Sequence, residues 1–271
     1  MMRILVTADW HLDFWWRNYR DPFVNFRSIF DGLDALVLAG DLANNPLQNW
    51  PRGLEQLSRL INPAKVFILP GNHDYYRWQL DGEQRLKSLV EDAGMRFTQK
   101  EALELGGVRF LCCTLWTDFC LTGDRGAAIR QASYRMTDYD RIRIDGRMVR
   151  PDDTMSLHAD HLEWLTRKIQ EPFDGRSVIV SHHAPSPFVA GPVDDLTPCF
   201  ASDLDGWILQ HSPDLWLFGH THRHLSGKVG RTPIVNVSFG YPENVRAGAE
   251  ADVLLRGLID TDKAGLLAPE V

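Results

Sequence analysis

Short, continuous runs of apolar residues recur along the chain, and each leads within a few positions to polar residues. Five of these runs cover residues 4–6, 35–39, 66–69, 178–180 and 215–218. Apolar runs of this length without alternation are typical of strands that are buried on both faces of a sheet. In such sheets the reactive groups collect just beyond the carboxyl ends of the strands. The pattern therefore predicts an α/β protein with a functional site at one end of its strands.

Helical periodicity and further strand-like runs fill the space between these five segments. Helices are predicted over residues 22–30, 53–61, 83–93, 154–169 and 204–210. Further strands are predicted over residues 95–98, 102–105, 108–113, 225–229, 233–237 and 253–259. Two mixed sheets that pack together, with helices on their outer faces, are the simplest way to bury all of these elements.

A polar, arginine-rich stretch over residues 117–153 interrupts the alternation of strands and helices. We expect residues 1–271 to form one domain in which this stretch is an insertion that determines substrate specificity. Arg135, Tyr139 and Arg141 are candidate substrate-binding residues, because arginine binds phosphate in a bidentate manner and tyrosine stacks on bases. The alternative is a solvated basic surface that pairs with the aspartates of the same stretch.

Composition limits the classes of partner. Of the 271 residues, 44% are hydrophobic, so a sizeable core is expected, and the formal net charge is −7. That charge argues against general binding to nucleic acid or to an acidic membrane surface, while bound cations can still attract a small phosphorylated substrate. The four cysteines lack paired spacing, so we expect reduced thiols. Without a signal-peptide or membrane-spanning pattern, a cytoplasmic location is expected.

The residues that follow the five apolar runs are types that commonly bind metal ions. They are Asp9, His11, Asp41, Asn72, His182, His220 and His222. Asp9 and His11 are two positions apart, a spacing that directs both side chains to one side of an extended chain. Asp41 has two carboxylate oxygens and is the natural group to bridge two cations. Carboxylates, imidazoles and one amide are the inventory of a two-metal hydrolytic site.

Taken together, these motifs resemble those of the calcineurin-like metallophosphoesterase superfamily. The matching residues are Asp9-x-His11, Gly40-Asp41, Gly71-Asn72-His73-Asp74, the His182 segment and Gly219-His220-x-His222, in the family's order. The resemblance implies a four-layer α/β/β/α sandwich with a dinuclear site. One metal ion would bind Asp9, His11, Asp41 and His222, and the other would bind Asp41, Asn72, His182 and His220. His73 matches the family's catalytic histidine, which is not a ligand.

Two cations that share a water lower its pKa, so a metal-bridged hydroxide can attack phosphorus near neutral pH. His73 is placed to give a proton to the leaving oxygen. Oxygen and nitrogen ligands without thiolate favour manganese, iron or zinc, and the sequence does not choose among them. We therefore expect a metal-dependent phosphoesterase that hydrolyses a small phosphodiester or phosphomonoester, with nucleotides among the candidates.

Several alternatives stay open at this point. His182 and His183 compete for one ligand position, and we favour His182 because it follows the strand directly; His183 then lines the pocket or forms a structural hydrogen bond. Leu42-Ala43-Asn44-Asn45 after Asp41 departs from the protein phosphatase pattern, which argues against that activity. A nuclease for single-stranded nucleic acid and a non-catalytic binding module are the rival functions. The oligomeric state is left open.

Overall fold

The first of two large sheets contains most of the N-terminal strands. The computed structural model describes residues 2–24, 26–246 and 248–262. Within them, this sheet has the strand order β14-β1-β2-β3-β5. Its strands are β1 (Arg3–Thr7), β2 (Ala35–Ala39), β3 (Val66–Leu69), β5 (Arg96–Phe97) and β14 (Leu258–Asp260). All neighbours are parallel except β14, which pairs antiparallel with β1.

The second sheet has six strands in the order β12-β13-β11-β10-β7-β6. Its strands are β6 (Glu101–Leu105), β7 (Val108–Cys113), β10 (Arg176–Ser181), β11 (Leu215–Phe218), β12 (Ser226–Val229) and β13 (Thr232–Asn236). The four central strands are parallel, and the edge strands β6 and β12 are antiparallel to their neighbours. Both sheets are therefore mixed, as predicted.

Apolar side chains from both sheets form a shared core between them. Val6 and Val37 of the first sheet belong to the same buried cluster as Val180 and Leu217 of the second. The opposite faces of the sheets are also buried, because helices cover them. This double burial explains why the strands read as continuous apolar runs.

Helices cover the two outer faces. Helices α3 (Pro46–Leu60) and α4 (Glu83–Asp92) pack on the first sheet through residues such as Leu57 and Leu86. Helices α7 (Pro151–Gln170) and α8 (Asp205–His211) pack on the second sheet, where Trp164 and Ile208 are buried. The layers therefore follow the order α/β/β/α, which confirms the predicted fold class. The shorter helices are α1 (Leu12–Arg17), α2 (Arg27–Asp31) and α9 (Glu250–Leu254).

The predicted insertion over residues 117–153 has its own secondary structure. It contains α5 (Arg125–Arg135), α6 (Asp138–Arg141), β8 (Ile142–Ile144) and β9 (Arg147–Met148). Strands β8 and β9 form a small third sheet with β4 (Trp78–Gln79), which lies shortly after the His73 loop. This sheet joins the insertion to that loop. The prediction of one domain over residues 1–271 stays a prediction, and residues 263–271 lie outside the described part.

Three predicted elements differ clearly from the observed ones. The helix predicted over residues 53–61 already begins at Pro46. The strand predicted over residues 253–259 is wrong for its first part, since α9 and a short 3-10 helix occupy it and only β14 is extended. Leu254 of α9 packs into the core, which shows that an apolar run can be buried without forming a strand. The helix predicted over residues 22–30 begins at Arg27; Asp21 instead caps a turn by accepting a hydrogen bond from the Phe23 amide.

The described residues also bear on two compositional expectations. Cys112, Cys113, Cys120 and Cys199 are free thiols, as expected. Among the helices described here, none combines the length and the apolar character needed to cross a bilayer.

Candidate metal centre

The predicted metal-ligand residues come together just beyond the ends of five parallel strands. Asp9 and His11 follow β1, Asp41 follows β2, and Asn72 follows β3. In the second sheet, His182 follows β10, while His220 and His222 follow β11. The backbone hydrogen bond from Asp9 to Gly40 (2.9 Å) ties the first two loops, and the bond from the His220 amide to Asp9 Oδ2 (2.9 Å) ties the two sheets.

The backbone at five of these seven positions is left-handed, an unusual state for residues other than glycine. The φ angles are 58° at Asp9, 42° at His11, 60° at Asp41, 67° at His220 and 50° at His222. Each such residue costs roughly 1–3 kcal/mol and persists only where the surrounding structure enforces it. Five of the fourteen non-glycine residues with positive φ in the described part of the chain are therefore predicted ligands.

The first group of side chains consists of Asp9, His11 and His222. His222 Nε2 lies 3.3 Å from Asp9 Oδ1 and 3.1 Å from His11 Nε2. Asp9 and His11 are completely buried. His222 Nδ1 lies 3.1 Å from Asn244 Oδ1, an oxygen that accepts hydrogen bonds, so its proton sits on Nδ1 and Nε2 presents a lone pair. Three potential ligand atoms thus face one point.

The second group consists of Asp41, Asn72, His182 and His220. His182 Nε2 lies 3.0 Å from Asn72 Oδ1, 3.4 Å from Asp41 Oδ2 and 3.2 Å from His220 Nδ1. His182 Nδ1 donates to the Ala39 carbonyl at 2.9 Å, which leaves a lone pair on Nε2. The lone pairs of His182 Nε2 and Asn72 Oδ1 would therefore repel one another unless a positive charge lay between them.

The Asp41 carboxylate lies between the two groups. Its Oδ2 atom is 3.6 Å from His11 Nε2 and 3.4 Å from His182 Nε2. Asp41 also belongs to a third group whose potential ligand atoms lie within 4.8 Å of one another, together with His11 and His73. The residues present fit a pair of cations, because their lone pairs converge and no thiolate takes part.

The pKa values of one histidine in each group also indicate that positive charge is stabilised at the cluster. Burial opposes a proton on His182, but the Asp41 carboxylate outweighs burial and raises the pKa of His182 to about 9. In the first group burial likewise opposes a proton on His222, and the charge of Asp9 raises its pKa nonetheless. A bound metal ion would supply this positive charge in place of the protons.

His73 lies beside the cluster and is held by two neighbours. Its Nδ1 atom is 2.9 Å from Asn44 Oδ1, and its ring stacks on Tyr76 with a centroid distance of 4.1 Å. The Asn44 amide nitrogen donates to Asp13 at 3.0 Å, which fixes Oδ1 as the atom that faces His73. The proton on Nδ1 is therefore engaged, and Nε2 is the atom free to exchange a proton.

Asp74 connects the loops that carry Asp41 and Asn72. Its carboxylate accepts hydrogen bonds from the amides of Asp41 (2.7 Å) and Gly71 (2.8 Å) and from the Trp50 indole (3.0 Å). Burial and the nearby Asp41 charge raise the pKa of Asp74 to about 7, although the backbone amides oppose this. Asp74 is thus the common anchor of two neighbouring strand ends.

The remaining predicted site residues occupy different surroundings. His183 is buried, with Nδ1 3.2 Å from the Thr114 carbonyl and its ring 4.3 Å from the His220 ring. Tyr139 of the insertion hydrogen-bonds Thr154 of α7 at 3.2 Å. Arg141 is exposed at the end of α6 and Arg135 is exposed at the end of α5. Their roles in substrate binding stay predictions.

Three residues near the cluster are absent from the sequence-based set. Asp138 accepts a hydrogen bond from Asn72 Nδ2 at 2.7 Å, Asn244 contacts His222, and the Tyr241 ring stacks on His11 at 4.3 Å. None of them follows one of the five apolar runs. Asp138 lies among several aspartates of the insertion, so the sequence contains no signal that separates it from them.

Two sheets that meet at a cluster of carboxylates, imidazoles and an amide define the class of metallophosphoesterases. The sequence model of the family described as calcineurin-like phosphoesterase matches residues 2–224. The chain belongs to this family, which depends on metal ions.

Individual proteins also resemble this chain, either in sequence or in fold. Uncharacterized protein L509 of Acanthamoeba polyphaga mimivirus is 24% identical over 249 residues, which cover 82% of this chain and 85% of that protein. Phosphopantetheinyl hydrolase from Mycobacterium tuberculosis has a TM-score of 0.64 at 15% identity, with 89% of this chain and 90% of that chain covered. The protein TT1561 of Thermus thermophilus has a TM-score of 0.54 at 15% identity, with 96% and 95% covered. These two structures share the fold.

Proposed function

We propose that this protein is a metal-dependent phosphoesterase that hydrolyses a small phosphodiester or phosphomonoester. The observation that carries the proposal is the position of Asp41 Oδ2, 3.6 Å from His11 Nε2 and 3.4 Å from His182 Nε2. A carboxylate in this position can belong to two half-sites at once. The half-sites we propose are Asp9, His11, Asp41 and His222 for one cation, and Asp41, Asn72, His182 and His220 for the other.

A pair of cations held by these residues would supply a nucleophilic water at neutral pH and positive charge at the phosphoryl oxygens. Hydrogen bonds within the protein orient the proposed ligand side chains. Ala39 and Asn244 hold the protons of His182 and His222 away from the centre, so the opposite nitrogens are available as ligands. The neutral amide of Asn72 adds an oxygen ligand without adding charge.

His73 is the proposed proton donor to the leaving oxygen. Asn44 engages its Nδ1 proton, so the proton that can be transferred is the one on Nε2. The stacked Tyr76 ring keeps the imidazole in one orientation. The bond from phosphorus to the leaving oxygen breaks as that proton is transferred.

The test is hydrolysis by the metal-stripped protein after separate addition of Mn²⁺, Fe²⁺ or Zn²⁺. The substrates are a panel of phosphomonoesters, phosphodiesters, nucleotides and single-stranded oligonucleotides. Asp41→Asn should abolish hydrolysis of bis(p-nitrophenyl) phosphate and lower the metal content, because it removes a charge shared by both half-sites. Activity and metal content that survive this substitution would refute the two-metal proposal. Preferential cleavage of oligonucleotides would instead identify a nuclease.

A further inference from the structure

A groove of about 450 Å³ is lined in part by Asn44 and Tyr76, the two residues that hold His73. Its walls come from α1, from the start of α3, from residues 76–77 and from Arg141 at the end of α6. Nothing in the proposed reaction at the cluster uses this groove. Its chemistry is unusual, because four arginines line it.

Positive charge prevails in the groove. Arg17, Arg52, Arg77 and Arg141 line it, and the single acidic residue there is Asp13. Asp13 is already engaged, with Arg17 at 3.1 Å and with the Asn44 side chain at 3.0 Å. The charge of the lining therefore favours an anionic ligand.

The other three arginines are available to such a ligand. Arg52, Arg77 and Arg141 are exposed, and none has a carboxylate within ion-pair distance among the residues that the structure describes. The Arg52 guanidinium lies 4.1 Å from the centre of the Trp16 ring, which holds it in place at the groove wall. Guanidinium groups in fixed positions bind phosphate through paired, charge-assisted hydrogen bonds.

Two residues connect the groove to His73. Asn44 lines the groove and contacts His73 Nδ1 at 2.9 Å. Tyr76 also lines the groove and stacks on the His73 ring. Because Asn44 engages Nδ1, the leaving oxygen would meet Nε2 on the other side of the same ring, and the leaving group must extend past the His73 imidazole to reach the groove.

We propose that the groove binds a phosphate carried by the leaving group, so the substrate is a phosphoester of an alcohol that is itself phosphorylated. This inference rests on the proposed function. Water forms the new bond to phosphorus, the bond from phosphorus to the alcohol oxygen breaks, and His73 gives that oxygen its proton. The products are inorganic phosphate and a phosphorylated alcohol whose phosphate lies among Arg52, Arg77 and Arg141.

Two nucleotides present the same reacting ester with and without a second phosphate. They are adenosine 3′,5′-bisphosphate and adenosine 3′-phosphate, and the measured quantity is the ratio of their kcat/KM values with Mn²⁺. We expect a ratio of about 10 or more in the wild type, the effect of one charge-assisted hydrogen bond. The double variant Arg52→Met and Arg141→Met should bring the ratio close to one. Arg85→Met, an exposed arginine on α4 outside the groove, should keep the wild-type ratio.

A wild-type ratio near one, or a high ratio that survives in the double variant, would overturn the groove proposal. Hydrolysis of bis(p-nitrophenyl) phosphate in the same preparation shows that this failure is not a failure of the proposed function. Calorimetry with the metal-stripped protein tests the groove even without turnover. Adenosine 5′-phosphate should bind more tightly than adenosine, and the double variant should remove the difference; equal binding of both compounds by the wild type would refute the groove.

Discussion

Asp138 fixes the orientation of Asn72. Asn72 Nδ2 donates a hydrogen bond to Asp138 Oδ1 at 2.7 Å, across 66 positions of the chain. Both side chains are buried, and Asp138 also accepts a hydrogen bond from the Tyr76 hydroxyl at 3.4 Å. Because the amide nitrogen is engaged, Asn72 Oδ1 faces His182 and the proposed second half-site. The insertion thus reaches the candidate metal centre through one carboxylate.

Replacing Asp138 by alanine should weaken metal binding at the half-site that contains Asn72. Loss of a group that orients a ligand typically lowers metal affinity by about 10–100-fold. Asp138→Asn keeps an acceptor oxygen and should recover most of the affinity. Titration of the metal-stripped protein with Mn²⁺ measures the effect. The exposed neighbour supplies the control variant Asp140→Ala, and an equal loss in both alanine variants would argue against a specific role for Asp138.

Replacing His73 by alanine should slow hydrolysis most for phosphodiesters that have poor leaving groups. Proton donation contributes about 10²–10⁴-fold, and a good leaving group has little need of it. Metal content should stay at the wild-type level. Rates for a series of aryl phosphodiesters with rising leaving-group pKa measure the trend, and a uniform loss across the series would contradict the acid role. A fall in metal content would show that His73 is a ligand, as its proximity to His11 and Asp41 allows.

Replacing Gly71 by alanine should disturb the centre directly. A Cβ atom there would lie 2.5 Å from His182 Cε1 and would also overlap Asp41 Oδ1. Forced shifts of this kind cost about 1–3 kcal/mol, and both displaced residues are proposed ligands. We expect lower metal content and a lower Tm. Gly206→Ala is the control, since no atom lies within 4 Å of its added Cβ and alanine favours the helix α8. Equal Tm and metal content in the two variants would refute this steric account.

The stability of the protein should depend on pH through His161. Its Nδ1 atom accepts a hydrogen bond from the Leu115 amide at 3.1 Å, and burial lowers its pKa from 6.5 to about 3. As the pH falls, the unfolded chain binds this proton before the folded chain does. The free energy of unfolding should therefore decline below about pH 6.5, by up to about 1.4 kcal/mol per pH unit from this residue, until about pH 3.

The variant His161→Asn keeps an acceptor for Leu115 but does not titrate. Urea unfolding between pH 8 and pH 5 should show a smaller decline for this variant than for the wild type. Parallel declines in the two proteins would mean that His161 does not contribute to the pH dependence. The remaining slope then belongs to other buried groups, such as His158, whose pKa burial also lowers.

The strands and the clustered polar residues could be predicted because one physical rule determines both. Strands such as β2 and β11 are buried on two faces and must be apolar throughout, so their ends are visible where Asp41 and His220 begin. The parallel order of the strands then brings those ends together. This reasoning needs only local sequence and the general geometry of sheets.

The parts that could not be predicted depend on long-range packing. Asp138 meets Asn72 only because β8 pairs with β4 and carries the insertion onto the His73 loop. The four arginines of the groove come from four separate segments, and no spacing in the sequence relates Arg17 to Arg141. Likewise, Leu254 is apolar because it is buried, and burial alone does not distinguish a helix from a strand.

Because the backbone is left-handed at Asp9, Asp41 and His220, the proposed metal binding should depend on the stability of the whole fold. An unfolded chain rarely adopts these conformations, so the proposed ligands come together only while the two sheets are folded. The apolar side chains between the sheets therefore help to hold the loops in these conformations. We therefore expect the removal of a buried methyl group from between the sheets to weaken metal binding under conditions in which the protein stays folded.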